Sequence, residues 1–112
     1  IVHIDIPKSG GLLEAKRIAD MADVHYIPTC AHNASSIVGY VASAHCAVTI
    51  RDFGMMERGG YDWPWFEDLV IHDKPIFQNG YIHLPEGPGL GLTLNPDVVK
   101  AHLAPGEQYW GD

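Results

Sequence analysis

The chain is poor in positive charge. Seven Lys and Arg stand against fourteen Asp and Glu, for a formal net charge of −7 at pH 7. No basic run is available to meet phosphates, which argues against nucleic-acid binding. Cysteine is scarce. Cys30 and Cys46 have neither the spacing of a disulfide framework nor that of a zinc knuckle. They read as free thiols in a reducing compartment, which points to the cytoplasm. No apolar run approaches the roughly 20 residues that would span a membrane, and no signal-peptide pattern opens the chain. There is no internal repeat and no low-complexity tract. The glycines of PEGPGLG, residues 85–91, do not lie between a strand and a helix, so they are not a phosphate loop. An initiator Met is also lacking: the sequence starts inside an apolar run, IVHID. The expectation from that start is the C-terminal piece of a longer protein.

The 112 residues amount to one domain at most. Ile1 to Asp5 reads as a buried strand, followed by a loop through Pro7, Ser9, Gly10 and Gly11. Leu12, Ala15, Ile18, Ala19 and Ala22 form one stripe at helical spacing, which predicts a helix over Leu12 to Ala22. Val24 to Pro28 alternates as a second strand would. Thr29-Cys30-Ala31 then reads as a small-residue turn that delivers His32 at its tip. Asn33 to Ser36 offers capping side chains for a second helix, Ser36 to about Cys46, and Val48 to Met56 contains a third strand ending near Glu57. Alternating strands and helices imply parallel βαβ units. Beyond Gly59-Gly60 the character changes. Tyr61, Trp63, Trp65 and Phe66 cluster around Pro64, Asn79-Gly80 signals a hairpin, and Asn95-Pro96 opens a short helix through about Leu103. Residues 1–60 and 61–112 are therefore expected to be distinct segments.

Asp5, His32 and Glu57 each fall at the carboxyl end of a proposed strand, where α/β folds place catalytic groups. Adjacent parallel strands lie about 4.8 Å apart, so Asp5 and His32 are expected to meet as a hydrogen-bonded pair. The carboxylate would fix the imidazole tautomer and make His32 a proton-transfer group. Glu57 on the next strand would hold a substrate oxygen or share a proton. Blander roles exist for each: Asp5 as a loop cap, His32 as a turn histidine, Glu57 as a surface charge. Cys30 and His32, two residues apart, are a weak signal for a metal site. His3, His25, His45, His72, His83 and His102 share no spacing and read as structural or surface residues.

These residues carry a resemblance. DIPKSGGLLEAKRIA from Asp5, AHNASS from Ala31, RDFGMME from Arg51 and the stretch NGYIHLPEGPGLG from Asn79 resemble the C-terminal part of the enolase superfamily. Within it they look like the mandelate racemase-like group and its acid-sugar dehydratases. The resemblance implies an α/β fold, the last three strands of a modified (β/α)7β TIM-type barrel, with residues 61–112 returning to an α+β capping domain. It implies a Mg²⁺ ion that stabilises an enediolate, with ligands upstream of this chain. By position, Asp5 and His32 would be the Asp–His dyad and Glu57 the acidic residue after the final strand, with Lys8 and Asn33 touching substrate. Asp52 is a lesser candidate for the role of Glu57. The implied reaction is dehydration of a sugar acid of the gluconate, galactonate, xylonate or arabinonate type to the 2-keto-3-deoxy acid. Racemisation of a 2-hydroxy acid is the alternative within the superfamily, and a non-catalytic interaction module the alternative outside it. Relatives of this kind commonly assemble, so a homo-oligomer is expected, with Trp63 and Trp65 as candidate interface residues. On this reading the 112 residues turn nothing over alone.

Overall fold

Four-residue strands joined by 13- and 11-residue helices organise the first half of the chain. The computed structural model describes residues 1–59 and 63–111. It divides into two units, Ile1–Tyr61 and Asp62–Asp112.

In the first unit, β1 (Val2–Asp5), β2 (Thr29–His32) and β3 (Phe53–Met56) form a parallel sheet in the order β1-β2-β3. Helices α1 (Leu12–Val24) and α2 (Ile37–Ala47) make the two crossovers that parallel pairing demands. Side chains alternate across a strand. Val2 and Ile4 join a core with Ile6, Ala15, Ala19, Cys46 and Ile50, which leaves His3 and Asp5 on the opposite face. The buried side of α1 is built of Ala15, Ala19 and Ala22, small residues that let the helix lie close to the sheet.

The second strand corrects the sequence reading. Val24 to Pro28 is not a strand: α1 runs on through Val24, and its end is tied by His25 N–H to Ala22 O at 2.9 Å and Tyr26 N–H to Asp23 O at 3.0 Å. Tyr26 takes a left-handed φ of 56°, which stops the helix. Val24 and Tyr26 are 75% and 87% exposed, so their alternation with polar neighbours faces water. The supposed turn, Thr29-Cys30-Ala31, is the strand itself, with Thr29 and Ala31 buried and Cys30 and His32 half-buried. His32 is thus the last residue of β2 and not the tip of a turn.

Ser36 caps α2, its Oγ accepting from Gly39 N–H at 3.5 Å. Gly39 is required by space. A Cβ there would lie 2.1 Å from Ser35 Oγ and 2.9 Å from Ser35 Cβ, and Ser35 Oγ donates to Asn33 Oδ1 at 2.6 Å. β3 carries an irregularity that matters for the site. Thr29 pairs with Phe53 but Ala31 with Met56, so three residues advance on β3 against two on β2. Such an extra residue reverses which face the following side chains occupy. Without it Met56 would stand beside His32. With it Glu57 does, its N–H bonding Ala31 O at 2.8 Å.

In the second unit, β4 (Val70–Ile71) pairs antiparallel with β7 (Thr93–Leu94), and β5 (Phe77–Gln78) with β6 (Tyr81–Ile82). The hairpin turns at Asn79 and Gly80, both at positive φ (52° and 79°), as an Asn-Gly pair predicts. Phe66, Val70 and Ile76 are its most buried apolar residues. Trp63 and Trp65 stack at 4.8 Å, and Trp65 lies against His102 at 3.9 Å. Tyr61, expected in that cluster, lies outside the described residues. Gly91 (φ +68°) ends the PEGPGLG turn, where a Cβ would meet the Pro85 backbone at 2.9 Å. Helix α3 (Pro96–Ala101) starts on its proline but stops short of Leu103, and Asn95 precedes it without a side-chain capping bond. Among the described residues no helix is long and apolar enough to cross a membrane.

Candidate active site

Register brings the polar residues together. Asp5 on β1 is paired with His32 on β2 as neighbours in the parallel ladder. Both side chains leave the face opposite the helices, and His32 Nδ1 meets Asp5 Oδ2 at 2.7 Å. A carboxylate at Nδ1 fixes that nitrogen as the N–H donor, leaving Nε2 free to exchange a proton. Asp5 also does a loop-capping job. Its Oδ1 accepts from Lys8 N–H at 3.4 Å and its backbone oxygen from Lys8 and Ser9 N–H at 3.0 and 2.8 Å. Lys8 Nζ closes the arrangement on Oδ2 at 2.9 Å. Partial burial pushes the Asp5 carboxyl up. The hydrogen bonds from Lys8 and His32, with the Lys8 charge, more than reverse that and hold it below the usual carboxylate value.

On the far side of His32, Nε2 faces Glu57 Oε2 at 3.9 Å. The same Glu57 oxygen lies 3.6 Å from His3 Nε2, and the His3 ring stands edge-on to His32 with centroids 5.6 Å apart. The side chains of His32 and Glu57 are 34% and 48% exposed, within reach of a ligand. His3 was read from sequence as structural or surface. The signal for it was present: it sits two residues before Asp5 on a strand, hence on the same face.

Asn33 is placed differently from the other expected site residues. It is 1% exposed. Its amide nitrogen reaches Met56 Sδ at 3.6 Å, its Oδ1 is taken by Ser35 and its backbone oxygen by Gly59 N–H at 2.9 Å. The buried Tyr40 hydroxyl lies 2.9 Å from Asn33 O and 3.0 Å from Gly59 O, donating to one at a time. Burial pushes the Tyr40 phenol up, which keeps that proton in place. Together these bonds fasten the segment carrying Glu57 to the segment carrying His32. Tyr40→Phe is expected to cost about 1–2 kcal/mol, read as a lower denaturation midpoint at unchanged slope in urea unfolding of the full-length protein. Asp52, the lesser candidate, precedes β3 at the amino end of the sheet, where its carbonyl accepts from Thr29 N–H at 2.9 Å.

Among the described residues no three His, Cys, Asp or Glu gather as a metal cage. Cys30 shares the site face, but its thiol packs where a Gly54 Cβ would come within 3.0 Å. These residues therefore do not fit a Mg²⁺ site by themselves.

A family model described as enolase C-terminal domain-like matches residues 1–98. The chain belongs to that family. D-xylonate dehydratase of Haloferax volcanii is 47% identical over all of this chain, which covers 27% of that protein. D-mannonate dehydratase of Caulobacter vibrioides is 30% identical over 84% of this chain and 23% of its own length. A solved mandelate racemase/muconate lactonizing enzyme-like protein from Rubrobacter xylanophilus superposes with a TM-score of 0.90 at 42% identity, over 98% of this chain and 28% of its own. The chain thus has the α/β fold of the enolase C-terminal domain and spans about a quarter of the length of the relatives it matches.

Proposed function

We propose that this chain supplies the proton-transfer dyad of a sugar-acid dehydratase. The observation that carries the reading is the 2.7 Å Asp5–His32 pair at adjoining strand ends, in a chain 47% identical throughout to a D-xylonate dehydratase. Dehydration removes the proton α to the carboxylate and expels the β-hydroxyl as water, and the resulting enol becomes the 2-keto-3-deoxy acid. Hydroxide is a poor leaving group, so the departing oxygen needs a proton as its bond to carbon breaks. His32 is assigned that donation, through Nε2. Asp5 holds the ring in the required tautomer and balances the imidazolium charge, and Lys8 neutralises Asp5 and offers a rim cation to the substrate carboxylate. Glu57 is assigned a substrate hydroxyl. Asn33, expected to touch substrate, is proposed instead to hold the loop after β2.

The whole protein is proposed to be longer. β1–β3 would be the last three strands of a (β/α)7β barrel, with the second unit returning to a capping domain, because the relatives are nearly four times the length of this chain. The group that accepts the α-proton and the ligands of a Mg²⁺ ion would lie outside these residues. Cytoplasmic location and a homo-oligomer belong to the same proposal. The test is the full-length protein on a panel of aldonic acids that includes D-xylonate, D-gluconate, D-galactonate and D-arabinonate. Formation of a 2-keto-3-deoxy acid from at least one is expected. Exchange of the α-hydrogen with solvent deuterium without loss of water would replace dehydration by racemisation.

A further inference from the structure

We propose that His3 is a positioning residue for Glu57, an inference that rests on the dehydratase reading above. Glu57 follows the end of β3 and its side chain is nearly half exposed, so its own backbone gives the carboxylate little direction. Two imidazoles surround Oε2: His32 Nε2 at 3.9 Å and His3 Nε2 at 3.6 Å. His3 lies on β1 and Glu57 directly follows β3, the two strands that flank β2. Strands two apart are separated by about 9.6 Å, twice the neighbour spacing. Only two long side chains reaching over β2 can meet across that gap, and these two do so beside the His32 ring. His3 also props that ring edge-on, with centroids 5.6 Å apart at 77°.

The consequence is a row of alternating groups, Lys8, Asp5, His32, Glu57 and His3, in which each carboxylate stands between a nitrogen-bearing side chain and the central imidazole. Lys8 steadies Asp5 at one end and His3 steadies Glu57 at the other. His3 acts on the reaction through Glu57 and needs no contact with substrate.

The experiment compares His3→Gln with His3→Asn in the full-length protein. Both are polar and similar in size. A Gln amide nitrogen reaches about where imidazole Nε2 stands, whereas an Asn amide stops near Nδ1 and falls short of Glu57. His3→Gln is expected to keep kcat within about threefold, and His3→Asn to lose about tenfold or more in kcat with KM within about twofold. Equal losses in the two variants, or a loss confined to KM, overturn the proposal. Crystal structures of both variants give a readout independent of turnover. Glu57 should remain beside His32 in His3→Gln and leave it in His3→Asn, and an unmoved Glu57 in His3→Asn overturns the proposal. Should the wild-type protein dehydrate no sugar acid on the panel, the dehydratase reading fails on its own and the two crystal structures still decide the role of His3.

Discussion

Replacing His32 with Asn in the full-length protein is expected to lower kcat for sugar-acid dehydration about 10³-fold, with KM within about threefold. The substitution is chosen for what it keeps. An Asn amide nitrogen occupies roughly the place of imidazole Nδ1, so the bond to Asp5 Oδ2, 2.7 Å in the native pair, can re-form and the strand ends stay in register. What is lost is Nε2, the atom that faces Glu57 and the open side of the sheet. The β-hydroxyl must then leave without a proton donor. Steady-state kinetics on the preferred sugar acid, with circular dichroism to verify folding, check the outcome. Unchanged turnover would remove His32 from the chemistry.

Asp5→Asn is expected to have the second-largest effect, about 10²-fold in kcat. The neutral amide no longer balances an imidazolium and can present the wrong atom to Nδ1, and Lys8 loses its counter-charge. The substitution also has a signature in stability. The Asp5 carboxyl is held below its ordinary value of 3.8 by Lys8 and His32. A carboxyl depressed in the folded state favours folding fully above the unfolded value, and that contribution fades as pH falls below 3.8 toward the folded value. The wild-type protein should therefore be more stable than Asp5→Asn near neutral pH and converge with it in strong acid. Urea unfolding at a series of pH values checks this. A stability gap that widened toward acid would contradict the sign.

Much of this was legible in the sequence, for identifiable reasons. The helical stripe from Leu12 follows from apolar periodicity, which burial enforces directly. The first strand is where the sequence puts it, but it runs Val2–Asp5 with Ile4 alone buried and Ile1 81% exposed, not buried throughout as expected. The Asn-Gly hairpin follows from the backbone conformations those two residues tolerate. The meeting of Asp5 with His32 followed from both lying at strand ends, although His32 reaches that place as the last residue of TCAH and not from a turn. Small residues misled there. On a sheet face covered by closely packed helices Thr29 and Ala31 are strand residues, yet their composition resembles a turn. Tyr26 hid the helix end, because a non-glycine residue at φ 56° carries no composition signal.

The placement of Glu57 depends on the extra residue in β3, a matter of register between two strands. Gly54, a glycine inside a strand pattern, was the only local hint of it. His3 shares no spacing with the other histidines along the chain; what marks it is its face, two residues before Asp5 on the same strand. Asn33 stands beside His32 in sequence, but successive residues in extended chain point to opposite faces, and its side chain is spent on Met56 and Ser35.

The most direct measurement follows the two proton transfers separately. Full-length wild-type protein and His32→Asn are incubated with the preferred sugar acid in deuterium oxide, and both remaining substrate and product are examined by NMR. If His32 protonates the departing hydroxyl while another group takes the α-proton, the variant should form 2-keto-3-deoxy acid about 10³-fold more slowly than wild type yet still wash deuterium into the α-position of unreacted substrate. Product formed by the variant at the wild-type rate would contradict the role given to His32. Loss of α-exchange along with product would contradict its assignment as acid and make it the base.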